Sequence, residues 1–353
     1  MRKDELAQTS APIATDARPI ERGGHSSMSR ERAVMLAMGR NSRTTKETWR
    51  SSRNIVDYCT LESAAPSGRR FGSRVLGLGL DSARLAIKAV RAHGRQTFYL
   101  CGNPWTAVAL RCLGIKSFAV IGIYALPGTR SWKLLRLAVR RNPVFTLVDI
   151  EADQWNQSGG VAHVLRYGNT FGYPPQKVER DEPLRLFVGG TSDRDPGLIS
   201  TLVDEVQASE TAVNLTIIDG STTQTWQNDK SSITWCPRVS SSAFGELMSH
   251  SDLVVLPIRD SGRAAGHMVT VGALECGVRV LATDAPGMHG YIDGHHVIAI
   301  DRERPILSQA RSTARRDAAS SAGTRNYWQN EYSLGAFVSQ IDLHLAAVAS
   351  GDL

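Results

Sequence analysis

The sequence predicts an α/β protein made of two doubly wound parallel-sheet domains that face each other across a cleft. Three observations carry this prediction. Short apolar β-type runs alternate with helical segments at the spacing of strand–helix–strand units, a pattern that requires parallel sheets with covered faces. The alternation runs twice, broken by a Gly/Pro/charge stretch, RYGNTFGYPPQKVERDEP, at 166–183. The chain has 353 residues, enough for two domains with separate cores. The predicted organisation is a disordered tail over 1–30, a first domain over 31–170, a linker over 171–183, a second domain over 184–325 and a terminal helix over 326–353.

The first unit opens on AVMLAMG (33–39), a short buried strand, followed by the polar, basic loop GRNSRTTKETWRSSR. DSARLAIKAVRAHG has helical spacing. Leu85, Ala86, Ala89 and Val90 share a face, Asp81 or Ser82 caps the start, and Gly94 stops it. QTFYLCGN is a strand, and PWTAVALRCLG is a helix with Pro104 in its first turn and Gly114 at its stop. SFAVIGIYALPG, SWKLLRLAVRRN and PVFTLVDIEAD then read as strand, helix and strand. In the second unit LRLFVGG is a strand, and a helix capped by Asp195 with Pro196 at its first position runs to about Gln207. VNLTIIDG, SITWCP, SDLVVLPI and VRVLATD are further strands, SSSAFGELMSHS is a helix, and YSLGAFVSQIDLHLAAVA forms the last helix.

Composition narrows the function classes. Hydrophobic residues make up 42% and charged residues 21%, as in a soluble globular protein. No apolar run approaches the roughly 18–20 residues that span a membrane, and no secretory signal is visible. The five cysteines are scattered without a CxxC pair. They predict a reduced, cytoplasmic protein without a structural zinc. The net charge of +7 hides a split. Residues 1–175 hold 26 Lys and Arg against 12 Asp and Glu, and the remainder hold 15 against 22. The basic half is either a solvated Arg-rich surface or a surface for an anionic partner. The seven tryptophans are dispersed rather than interleaved with arginine clusters, which argues against nucleic acid. GLGLDS at 77–82 mimics part of a dinucleotide fingerprint, but no full strand precedes it and no acidic residue closes the next strand, so no NAD site is predicted.

Ligands in open α/β sheets sit at the carboxyl ends of strands. Two loops there carry chemistry. Gly189-Gly190-Thr191-Ser192-Asp193-Arg194 lets backbone approach a ligand closely and offers an arginine to phosphate. In RAAGHMVTVGALECGVRVLATDAPG (263–287), small residues precede a helix that begins near His267 or Met268. Its first N–H groups and the positive end of its dipole make an anion site suited to a diphosphate, with Arg259 and Arg263 adding charge.

The segment SDLVVLPIRDSGRAAGHMVTVGALECGVRVLATDAPGMHGYI resembles the nucleotide-sugar-binding half of GT-B glycosyltransferases of the broad group called family 4, through Asp252, Pro257, Gly266, Cys276-Gly277 and Ala282-Thr283. LFVGG and LTIIDG are similar to the first strands of that half, so the resemblance covers about 183–300. It implies two Rossmann-like domains in GT-B arrangement and sugar transfer from a nucleotide-sugar co-substrate, with no cofactor and no required metal. The donor-binding residues it implies are Gly189, Gly190, Arg194, Arg263, Gly266, His267 and Met268, with Arg238 after SITWCP either near the base or on the surface. Asp284 takes either a ribose or sugar role or caps the turn before Pro286. In one respect the chain departs from the pattern. Aligned on Cys276-Gly277, Ala264 and Gly272 stand where the family places two glutamates, and Glu275 is three residues out of register.

The resemblance assigns the acceptor to the basic first half, where Gly39, Arg40, Asn103 and Arg130 follow strands. The acceptor is a saccharide, lipid-linked or polysaccharide, or a small molecule. Asp149 and Glu151, predicted to end a strand on one side of it, are the candidates for a catalytic base. SWKLLRLAVRR places Lys133, Arg136 and Arg140 opposite Leu135, Ala138 and Val139. That helix either packs with a solvated basic face or touches an anionic membrane peripherally, at the inner face. The competing function is a non-catalytic GT-B-like nucleotide- or sugar-binding protein.

Overall fold

The computed structural model describes residues 32–39, 47–62, 71–123, 125–177, 183–220, 223–314 and 317–351. The tail predicted over 1–30 and the candidate Arg40 lie outside them.

The first sheet has six parallel strands: β1 (Ala33–Gly39), β2 (Ile55–Glu62), β3 (Phe98–Cys101), β4 (Phe118–Ile121), β5 (Pro143–Thr146) and β6 (Val161–Val164), in the order β2-β1-β3-β4-β5-β6. Helices α1 (Phe71–His93), α2 (Pro104–Cys112), α3 (Arg130–Val139) and α4 (Asp149–Gln157) connect the strands. The second sheet has seven: β7 (Leu184–Val188), β8 (Val213–Ile218), β9 (Gln224–Gln227), β10 (Ser232–Cys236), β11 (Leu253–Leu256), β12 (Val280–Thr283) and β13 (Val297–Ile300), ordered β13-β12-β11-β7-β8-β10-β9. Only β9, on the edge, runs antiparallel to its neighbour. Around it lie α5 (Pro196–Gln207), α6 (Ser241–Ser249), α7 (His267–Cys276), α8 (Ile306–Thr313) and α9 (Ala318–Glu331), and the chain closes with α10 (Leu334–Ser350). This is the α/β, doubly wound architecture that the strand–helix alternation predicted.

Burial follows from the apolar runs. Leu36, Leu85, Tyr99, Leu110, Phe118 and Leu135 form the core between the first sheet and its helices. The opposite face of that sheet is closed by α10, whose Phe337, Val338, Ile341 and Leu345 pack on Met35, Leu100 and Phe145. The carboxy-terminal helix therefore covers the amino-terminal sheet. The segment after β6 crosses between the domains without regular structure, and a buried carboxylate is one of its anchors, beside backbone bonds from Asn169, Gln176 and Lys177. Glu275 accepts the N–H groups of Phe171 at 2.8 Å, Gly172 at 2.8 Å and Tyr173 at 3.2 Å.

Three local readings are corrected. The helix expected to start at Asp81 or Ser82 begins at Phe71, so both residues lie inside α1. Ser82 is buried, and Asp81 pairs with Arg84 one turn on. The strand expected over PVFTLVDIEAD stops at Thr146, and Asp149 and Glu151 form the first turn of α4. Carboxylates at a helix start are favoured by the dipole, and that preference outweighs the β-type look of LVDI. Between Glu47 and Glu62, the stretch read as a basic loop leads into a strand, β2, at the sheet edge.

Candidate functional site

The second sheet reverses its winding between β7 and β11, which pair in parallel. A crevice opens at such a point, beyond the carboxyl ends of the strands. The loop 189–194 after β7 and the loop before α7 meet there around an open pocket of about 520 Å³. Gly190, Thr191, Asp193 and Arg194 line one side, and Ala264, Gly266, His267 and Met268 line the other. Phe171, Tyr173 and Phe244 complete the wall. The first two of these rings stack at 4.9 Å, and the Tyr173 hydroxyl meets Ser241 Oγ at 3.0 Å.

Gly266 caps α7 with φ 83°, and a Cβ there would run into Ile258 and Leu256, so only glycine fits. The tight entry leaves the N–H groups of Gly266, His267 and Met268 without a hydrogen-bond partner among the described residues, on the pocket wall. Further along, the N–H groups of Val269 and Thr270 bond back to the Gly266 carbonyl at 3.0 Å. The free groups and the dipole favour an anion by about 0.3–1 kcal/mol per charge, and up to ~2 when partly buried.

Two arginines add to this. Arg194 donates from Nε to the Gly189 carbonyl at 2.8 Å and from Nη1 to the Ser192 carbonyl at 2.9 Å. Burial pushes its guanidinium down to about 10, opposed by the nearby Asp193, so it stays charged at neutral pH. A Cβ on Gly190, at φ 88°, would strike that guanidinium. Arg263 gives Nη2 to both Asp193 oxygens, at 3.0 and 2.7 Å, and so ties the two loops together. His267 stacks on Tyr291 at 5.7 Å, and its Nδ1 is buried without a partner among the described residues. Burial, with help from Arg194, pushes the imidazole down to about 4, leaving it neutral at neutral pH.

A second, narrower cavity of about 100 Å³ lies between the domains. Ile123, Leu126, Trp132 and Glu151 of the first domain face Arg263, Ala264 and His267 of the second across it. Glu151 Oε1 accepts the N–H of Ala264 at 3.1 Å. Burial raises the Glu151 pKa above the ordinary carboxylate value, against the opposing pull of that hydrogen bond and of Arg263. A carboxylate in a cleft whose proton affinity is raised in this way is suited to act as a general base.

The predicted residues divide accordingly. Gly190, Arg194, Gly266, His267 and Met268 share the open pocket, with Gly189 behind it on Arg194. Arg263 and Glu151 line the narrower cavity. Arg238 is exposed and donates to Thr191 Oγ1 at 3.2 Å. Asp284 is exposed, 3.6 Å from His289, and lines neither cavity. Asp149 is exposed on α4. Asn103 caps α2 by accepting the Trp105 N–H, Arg130 is exposed at the start of α3, and Gly39 ends β1; none of these lines either cavity. Among the described residues no group of three or more His, Cys, Asp or Glu is placed to hold a metal. The sequence reading missed Phe171 and Tyr173, whose Gly/Pro-rich surroundings read as linker, and Tyr291, whose hydroxyl accepts the Tyr167 N–H at 2.7 Å.

No family model and no curated protein matches this sequence. Solved structures do match its fold. Sucrose-phosphate synthase from Thermosynechococcus elongatus is 13% identical, with a TM-score of 0.59 over 83% of this chain and 84% of that one. A UDP-forming α,α-trehalose-phosphate synthase from Burkholderia xenovorans is 12% identical, with a TM-score of 0.59 over 91% of this chain and 100% of that one. HepE from Anabaena, solved in complex with UDP-glucose, is 12% identical, with a TM-score of 0.58 over 90% of this chain and 99% of that one. At these identities the likeness is one of architecture: the chain has the fold of GT-B glycosyltransferases.

Proposed function

We propose that this protein is a glycosyltransferase that moves a sugar from a nucleoside-diphosphate sugar to a hydroxyl-bearing acceptor. The observation that carries the reading is the set of three unpartnered N–H groups, at Gly266, His267 and Met268, on the wall of a pocket that also holds the charged Arg194. Such a set matches the two phosphates of the donor and stabilises the diphosphate as it leaves. The fold shared with a protein solved with UDP-glucose supports this assignment. Phe171, Tyr173 and Phe244 give the rest of the donor an apolar wall. In the transfer the acceptor oxygen bonds to the anomeric carbon, the bond from that carbon to the phosphate oxygen breaks with its electrons, and the hydroxyl proton passes to Glu151. Asp149, exposed on the other side of the helix start, is the weaker candidate for that role.

A second reading, a nucleotide- or sugar-binding protein without turnover, is favoured by one observation. Asp193 is the one carboxylate on the open pocket among the described residues, and Arg263 already engages it. Melting temperatures in the presence of UDP, GDP, TDP and ADP test the donor site, since a ligand of the native state alone raises the transition. The transferase reading expects a rise with one nucleotide, loss of that rise in Met268→Glu, whose side chain is exposed, and turnover of the matching nucleotide sugar. A rise without turnover selects the second reading, and no rise with any nucleotide removes both.

A further inference from the structure

The outer face of the first domain carries a surface that the donor pocket does not use. α1 packs on α2 and α2 on α3, all on the side of the first sheet opposite α10. Residues 71–141, which span these helices, hold twelve Lys and Arg and a single acid, Asp81, which already lies 3.5 Å from Arg84. A face so one-sided attracts an anionic partner.

Its apolar content selects the kind of partner. On α3, Leu134 is 43% exposed and Leu137 is 68% exposed, and Leu126 in the loop before it is 49% exposed. Lys133, Leu134 and Leu137 share one side of the helix by their spacing, Lys133 is exposed, and Arg141, also exposed, follows just past the helix end, where the chain turns at Arg140 with φ 56°. Open leucines among cations gain nothing from a phosphodiester backbone, which wants stacking rings instead, and of the tryptophans in residues 71–141 Trp132 is buried and Trp105 half-buried. They gain from insertion at the boundary between lipid headgroups and acyl chains. No helix among the described residues is long and apolar enough to cross a membrane, so such contact is peripheral. Leu126 also lines the interdomain cavity, which places that cavity next to this surface.

We propose that α3 and the loop before it dock on an anionic lipid bilayer, with Lys133 and Arg141 among the headgroups and Leu126, Leu134 and Leu137 at the acyl boundary. The docking stands on this surface and does not depend on the transferase reading.

Flotation of the full chain with phosphatidylcholine vesicles, with and without phosphatidylglycerol, tests it. The protein floats only with the anionic vesicles, and less so as salt screens the attraction. Lys133→Ala/Arg141→Ala weakens partitioning roughly thirtyfold, at about fivefold per cation. Leu134→Ser/Leu137→Ser also weakens it while leaving its salt dependence unchanged. Absence of flotation, equal flotation with neutral vesicles, undiminished flotation of either double variant, or retention of short RNA in place of vesicles each overturns the proposal. A melting temperature unchanged from wild type shows that the variants are folded, and the nucleotide-dependent shift measured on them separates a failure of docking from a failure of donor binding.

Discussion

Glu151 at the start of α4 and Ala264 in the loop before α7 are joined by a 3.1 Å hydrogen bond from backbone N–H to carboxylate. They belong to different domains and are 113 residues apart in sequence. The bond brings the one cleft-facing carboxylate of α4 to within two residues of the unpartnered amides at the start of α7. Four consequences can be measured.

Glu151→Gln keeps an acceptor oxygen for Ala264 but cannot take a proton. On the transferase reading, turnover falls by about 10²–10⁴, while the nucleotide melting shift is retained. Stability carries a signature of its own. Burial raises the native-state pKa, so the native protein is favoured below the ordinary carboxylate value and loses that contribution as pH rises through the raised one. Relative to wild type, the melting temperature of Glu151→Gln therefore climbs between acid and neutral pH. Parallel curves would show that the carboxylate titrates normally.

His267 has the opposite sign. Its native pKa lies near 4, below the ordinary value of 6.5, so the unfolded chain takes up a proton that the native protein refuses. The stability this group allows is fully present above pH 6.5 and is lost as pH falls from there toward 4, by an amount on the order of 3 kcal/mol. His267→Asn flattens the melting-temperature profile across that window. An unchanged slope would place the titration elsewhere, for instance on His163 and His344, whose pKa values burial also lowers.

Glu275 is a structural clamp in this account. Glu275→Ala leaves the N–H groups of Phe171, Gly172 and Tyr173 without their acceptor, at a cost on the order of 3–5 kcal/mol in urea unfolding. A cost near zero would mean that the crossing segment is held by other contacts.

Met268 is 58% exposed, so Met268→Glu leaves stability within about 0.5 kcal/mol of wild type. On the transferase reading the added charge meets the donor phosphates at the helix start and weakens nucleotide binding by at least about tenfold. Full affinity in this variant would move the phosphates off α7.

Much of this was legible in the sequence because local signals agreed. Asp195-Pro196 starts α5, with Asp195 accepting the N–H groups of Gly197 and Leu198, and Gly277 ends α7 at φ 86°. The apolar runs of β7, β8, β11 and β12 are buried throughout or nearly so, and nothing competes with a strand assignment there. The loops at 189–194 and 262–266 were readable for the same reason, since their glycines mark backbone that side chains cannot follow. The failures came where signals conflicted. β2 carries Asp57 and Glu62 on a sheet edge, and β9 is an exposed edge strand, so neither has the apolar run of a central strand. α4 starts with a β-like LVDI. Glu275, Tyr173 and Tyr291 act through partners 100 or more residues away in sequence or sit in the crossing segment itself, and no local pattern announces such contacts.

Amide hydrogen exchange across residues 263–270, with and without the nucleoside diphosphate that raises the melting temperature, tests the central claim most directly. The diphosphate slows exchange at Gly266, His267 and Met268, and the corresponding nucleoside does not. Exchange at these three amides unaltered by a bound diphosphate would contradict it.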